Sequence, residues 1–152
     1  MRKLGLGDSR GSTTVEFAIV VPILVLLTVG LLDVARAMNA SVVVGSASRE
    51  AAYYAILHPG TTPADIETAA RQRVVPLDPT SVTVVARYYD SGTATFVAWP
   101  ETGIPQNSPS RGVLVRIDVS YPWSAVSFVV GQYFSATGTR TLSARSTMET
   151  RR

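Results

Sequence analysis

From Phe17 to Leu32 the chain carries no charged residue, and no other stretch restricts its possible folds so strongly. As a helix this run covers roughly 24 Å at 1.5 Å per residue, against a bilayer hydrocarbon core of about 30 Å. Asp33, Val34 and Ala35 bring it to about spanning length, and Ala37 can extend it further. Arg2, Lys3 and Arg10 precede the run, against one acid, Asp8. Cationic residues favour the cytoplasmic side, so the N-terminus is expected inside and the bulk of the chain outside. Pro22 cannot donate to the carbonyl of Ala18, so a kink is expected there. Gly30 offers a weak point or a close-packing spot for a neighbouring helix.

One carboxylate, Glu16, stands at the mouth of this run, five residues after Gly11 in Arg10-Gly11-Ser12-Thr13-Thr14-Val15-Glu16-Phe17. A charge near the centre of a membrane helix costs a few kcal/mol, so Glu16 calls for a reason. Two general readings are open. One is a plain signal anchor with Glu16 at the interface. The other is a cleaved secretory signal, because Ala35-Arg36-Ala37 has the A-x-A form. Against cleavage there, the apolar run exceeds the usual core of roughly 7–15 residues, and Asp33 and Arg36 crowd the site.

A third reading comes from a resemblance. Gly11, Glu16, Phe17 and the apolar helix are similar to the processing site of type IV prepilins. Val15-Glu16-Phe17-Ala18 with Pro22, then Leu32-Asp33-Val34-Ala35-Arg36-Ala37, resembles the TadE-like minor pseudopilins of tight-adherence (Flp) pilus systems. Ala47-Ser48-Arg49-Glu50-Ala51-Ala52-Tyr53-Tyr54-Ala55 resembles the alanine-rich helix that follows in that family. The resemblance covers about the first third of the chain. It implies cleavage by a prepilin peptidase between Gly11 and Ser12, with Phe17 in the place of the bulky residue beside the glutamate. Cleavage lowers the formal net charge of +3 by two. The resemblance further implies that Glu16 faces the α-amino group of a neighbouring subunit, where opposite charges offset part of each other's desolvation cost. Assembly residues on this reading are Glu16, Pro22, Asp33 and Arg36. The implied partners are the prepilin peptidase, other pilin-like subunits, the pilus assembly platform and the lipid bilayer. The implied location is the cytoplasmic membrane as a single-pass protein, and the pilus after processing. The alternative is a permanently anchored extracytoplasmic binding or scaffold protein.

Beyond the apolar run, helical character continues from Asp33 to about Leu57, with no proline. Asp33 and Arg36 are spaced for an i,i+3 pair. Val34, Ala37, Met38, Ser41, Val42, Gly45, Ser48, Ala52 and Ala55 fall near one stripe, expected to cover a sheet of the same chain or to pack inside a filament. His58-Pro59-Gly60 should end the helix, because the residue before proline avoids the α region. Thr62-Pro63-Ala64-Asp65 predicts a second helix to about Val75, capped by Thr62 and complementing its dipole with Asp65, Glu67, Arg71 and Arg73. Pro76-Leu77-Asp78-Pro79 should stop it.

Alternation predicts a strand over 82–89, a turn at Asp90-Ser91-Gly92-Thr93 and a second strand over 94–99. Pro100 to Gly112 reads as a loop. Val113 to Tyr121 is the cleanest strand, with Pro122 as its end. Trp123 to Phe134 is apolar and aromatic and reads as a crossover helix or loop on the sheet, or as a surface touching bilayer or a partner. Thr139 to Met148 predicts a last strand, and Glu149 to Arg152 a frayed end. The expected fold is α+β: a long helix laid on a small antiparallel sheet. It divides into a cytoplasmic leader (1–11), a transmembrane and amphipathic helix (12–57), a short helix with connections (58–80) and an extracytoplasmic sheet region (81–152).

Composition narrows the function classes. The pI is about 9.6, yet Arg36, Arg49, Arg71, Arg73, Arg87, Arg111, Arg116, Arg140 and Arg145 are scattered. A nucleic-acid partner would call for a basic stripe or face, so none is expected. There is no cysteine, hence no disulfide and no thiolate chemistry. His58 is the only histidine and reads as a helix-end residue. No phosphate loop, HExxH, GxSxG or carboxylate pair stands out, and Asp118 and Asp90 read as solvated face and turn former. No catalytic residue, cofactor or metal is expected.

Overall fold

The first helix, α1 (Ser9–Leu57), runs unbroken for 49 residues in the computed structural model, passing through Pro22. The structure describes residues 9–104, 112–127, 131–132 and 138–150, without the side chains of Ser9, Arg10 and Ser12. Most of the expected leader (1–8), much of the loop expected over 100–112, parts of the 123–134 stretch and the last two residues lie outside these. At 1.5 Å per residue, α1 is roughly 73 Å long, far more than the rest of the chain can cover.

Its two halves live in different surroundings. The large apolar side chains from Val15 to Leu32 are exposed except for the half-buried Val21 and Val29, whereas Ala40, Val44, Ala47, Ser48, Ala51, Ala52 and Ala55 are buried. The C-terminal half lies on a four-stranded antiparallel sheet formed by β1 (Thr83–Asp90), β2 (Thr95–Ala98), β3 (Leu114–Ser124) and β4 (Thr139–Glu149). The strand order is β2-β1-β3-β4. Register places Val84, Val119 and Ala144 side by side, then Ala86, Ile117 and Ser146, then Tyr88, Val115 and Met148. These three rows face the helices, β3 and β4 lying under α1 and β1 beside α2. Val115, Ile117 and Val119 are fully buried, and each such side chain contributes about 1.5–3 kcal/mol relative to exposure. Alanines on the facing helix let the backbones approach closely. Ser48 satisfies its buried hydroxyl by donating to the carbonyl of Ile117 at 3.0 Å.

The buried stripe corrects the expected one. Ser48, Ala52 and Ala55 lie where anticipated, but Met38 and Val42 are 67% and 65% exposed, and Val34 is exposed too. The closest approach to the sheet selects small side chains, so the bulkier apolar residues stand on another face.

Helix α2 (Pro63–Arg73) packs Ile66 and Ala70 into the same core. Thr62 caps it: its side chain accepts from the Asp65 amide, and the Asp65 carboxylate accepts from the Thr62 amide in a reciprocal box. Hydrogen bonds from the Thr62 hydroxyl, the Thr62 amide and the Thr61 hydroxyl hold the Asp65 carboxyl below the ordinary carboxylate range. Beyond β2, Trp99 donates its indole N–H to the Thr61 carbonyl at 2.8 Å, and the Ile104 amide donates to the Pro59 carbonyl at 2.8 Å. Gly103 (φ +78) sits against that helix end, where a Cβ would come within 2.6 Å of the Pro59 oxygen. Only glycine suits both the conformation and the contact.

One strand boundary departs from expectation. β3 continues through Pro122 and Trp123 to Ser124, paired with β4 as far as Ser124↔Thr139. Pairing with β1 ends at Thr83↔Ser120, so Pro122 sits where one side of β3 has lost its partner, a position that tolerates a residue without an N–H. Glu149 is likewise in β4 rather than in a frayed end.

Candidate functional site

The residues singled out in the sequence all lie on α1, but they form two separate groups along it. Gly11, Glu16 and Phe17 occupy its first turns. Open space surrounds Gly11, and Ser12 is helical in backbone, its side chain lying outside the described residues. Glu16 and Phe17 are exposed, as is Pro22 one to two turns on. Among the described residues, Glu16 has no ion-pair partner. From Phe17 to Leu32 the apolar side chains face outward around the helix, and Thr28 hides its hydroxyl by donating to the Leu24 carbonyl at 2.8 Å. A helix that is apolar all round with nothing packed on it suits a lipid environment.

The second group, Asp33 and Arg36, is placed roughly 26 Å along the helix from Glu16, so the structure does not bring the two carboxylates together. Asp33 and Arg36 do meet, with Arg36 Nη1 donating to Asp33 Oδ1 at 3.2 Å. The more consequential contacts of Asp33 come from far along the chain. The Val126 amide donates to Oδ1 at 3.0 Å and the Ser127 amide donates to Oδ2 at 2.7 Å. Asp33 is only 1% exposed. A buried carboxylate is tolerated when its oxygens are filled by donors, and here two backbone amides and a guanidinium fill them. Sequence reasoning found the Asp33–Arg36 pair but not the loop. No local signal links residues so distant in the chain.

Asp118 also departs from expectation. Rather than standing in solvent, it lies on the outer face of the sheet between Arg87 and Arg145, accepting from Arg87 Nη1 at 2.9 Å and from Arg145 Nε at 2.5 Å. Arg116, which is register partner to Arg87, stacks over the Phe96 ring at 3.5 Å. Three cations thus share one anion and one aromatic face, a cross-strand arrangement that Asp118 makes tolerable. His58 stacks on Tyr54 and its Nδ1 lies 3.1 Å from the Tyr54 carbonyl at the end of α1.

Chemistry is sparse. Among the described residues, no group of three histidine, cysteine, aspartate or glutamate side chains is placed to hold a metal ion. The surface grooves lie around Glu50, Tyr53, Tyr54 and Arg73, and the Arg73–Glu50 pair at 3.4 Å is exposed. Among the described residues, one helix is long and apolar enough to cross a membrane, and none of its most apolar window is buried.

No curated protein and no solved structure matches the chain. The family model described as TadE-like protein matches residues 11–52, beginning at Gly11, including Glu16, Asp33 and Arg36, and ending within α1 before α2 and the sheet. Over residues 11–52, then, the helix that carries both groups of singled-out residues is similar to that of TadE-like proteins.

Proposed function

We propose that the chain is a membrane-anchored minor pseudopilin of a tight-adherence pilus, a structural and assembly subunit rather than an enzyme. The observation that carries this reading is α1 itself. Its N-terminal half is apolar all round and unburied by its own chain, its C-terminal half is the spine of a folded domain, and the TadE-like match covers the junction. On this reading the N-terminus lies in the cytoplasm, the sheet region lies outside, and a prepilin peptidase cuts after Gly11. Ser12 becomes the first residue of the mature subunit. The partners are other pilin-like subunits and the assembly platform, met within the bilayer.

Glu16 then serves as a register device. Among the described residues it has no ion-pair partner, and on this reading a neighbour's α-amino group supplies the opposite charge. Pairing within lipid offsets part of the cost that each charge bears alone. The exposed apolar residues Val34, Met38 and Val42 continue the outward face beyond the membrane exit, in keeping with subunit packing along α1.

The intact mass of the membrane-extracted protein tests the reading. A species beginning at Ser12 is expected in cells with an active prepilin peptidase. A species beginning at Met1 in those cells refutes processing and favours a permanently anchored binding or scaffold protein, while one beginning at Met38 indicates ordinary signal peptidase. Glu16→Ala should be depleted from pilus fractions; equal incorporation removes the register role.

A further inference from the structure

We propose that the loop Ala125–Ser127 is a membrane-contacting element, seated by Asp33 on the lipid–water boundary with the Val126 side chain against lipid. The inference rests on the reading that α1 spans the bilayer. Asp33 is the first charged residue after the charge-free run, so it marks where the helix leaves the hydrocarbon. The amides of Val126 and Ser127 lie 3.0 and 2.7 Å from its carboxylate oxygens. Whatever depth the helix exit takes, these two amides share it.

The arrangement also answers a solvation problem. A carboxylate at the edge of lipid either reaches for water or needs donors from the protein. Asp33 does not reach for water, since it is 1% exposed. The loop covers it instead, and its two amides take the place of hydration. Val126, by contrast, is 74% exposed, and so are its helix-borne neighbours in level, Leu31, Leu32 and Val34. An exposed valine in a segment tied to the end of a lipid-facing helix continues that helix's apolar surface. Lipid is the occupant that this continuity selects.

Topology supplies the reference point. β3 runs toward the loop, whereas antiparallel β1 runs away from it and ends at Asp90. The turn at Ser91 and Gly92 therefore stands at the opposite end of the sheet.

The chain has no cysteine, so single labels can be placed cleanly. Val126→Cys, Thr28→Cys and Ser91→Cys, each carrying an environment-sensitive fluorophore, are reconstituted as the full chain in phosphatidylcholine–phosphatidylglycerol vesicles with brominated acyl chains. Bromines near the headgroup should quench the label at 126 several-fold more than that at 91, and deep bromines should quench the label at 28. Adding Asp33→Ala to the Val126→Cys chain should bring its quenching toward the value at 91. Adding it to the Thr28→Cys chain should change little. If the label at 126 matches that at 91 while the label at 28 is quenched, the loop is not on lipid and the proposal is overturned with the anchor intact. If the label at 28 is unquenched, the anchor reading itself fails and the proposal falls with it.

Discussion

Replacing Asp33 with alanine should release the 125–127 loop without unfolding the sheet. The carboxylate accepts two backbone amides at 3.0 and 2.7 Å, and a hydrogen bond to a charged group contributes about 1.5–3 kcal/mol. The pair therefore sets a range of about 3–6 kcal/mol. Once free, the loop amides can turn to water or lipid headgroups, so the observed cost should lie near the lower end, about 3 kcal/mol. That corresponds to roughly two orders of magnitude in a local opening equilibrium. The contact with Arg36 adds little, because the arginine side chain is 55% exposed and pairs of that kind contribute about 1 kcal/mol at most. Hydrogen exchange of the Val126 and Ser127 amides, measured on the full chain in lipid nanodiscs, reads this directly. Asp33→Ala should accelerate both by roughly a hundredfold, and Arg36→Ala by less than about tenfold. Exchange in Asp33→Ala within a few-fold of wild type refutes the reasoning. Equal acceleration by Arg36→Ala assigns the grip to the ion pair instead.

Other outcomes follow from the same geometry. Ala51 is fully buried in the core, so Ala51→Leu should overpack it and lower stability by about 1–3 kcal/mol, whereas Met38→Ala on the exposed face should change it by less than about 0.5 kcal/mol. Thermal unfolding of both variants checks the phase of the buried stripe. The Asp65 carboxyl is held below its ordinary range by the capping hydrogen bonds, so its contribution is complete above the unfolded value near pH 4 and fades as pH falls through the lower folded value. The stability difference between wild type and Asp65→Asn should accordingly be constant from about pH 5 to 8 and shrink below about pH 4. A difference that does not change with pH contradicts the capping account.

Local rules made much of this molecule legible. The cap at Thr62, the stop at His58-Pro59 and the hairpin at Asp90–Thr93 each involve neighbours in sequence, so residue type and spacing are enough to foresee them. The alternation in Val113 to Tyr121 likewise reports its burial. What escaped was decided between distant segments. Pro122 stays in β3 because the ladder to β1 has already ended, which no residue near Pro122 announces. The helix stripe was misphased around Met38 because apolar character alone does not say which partner a side chain meets, and the sheet accepts alanine more closely than methionine. In the candidate site, the Asp33–Arg36 pair was readable, whereas the Val126 and Ser127 amides were not.

Two of the polar attachments of α1 have a mechanical meaning. Its packed face is built largely from alanines, whose similar size gives the sheet little with which to fix rotation or sliding. Ser48, bonded to the Ile117 carbonyl, and Asp33, bonded to the loop, are directional contacts to the sheet and to the segment beyond β3, and they are roughly 22 Å apart along the axis. Two pins on a smooth shaft resist both torque and slippage, so a pull along α1 is delivered to the folded domain at two points. The folded domain then moves with the helix as one body instead of peeling away from it.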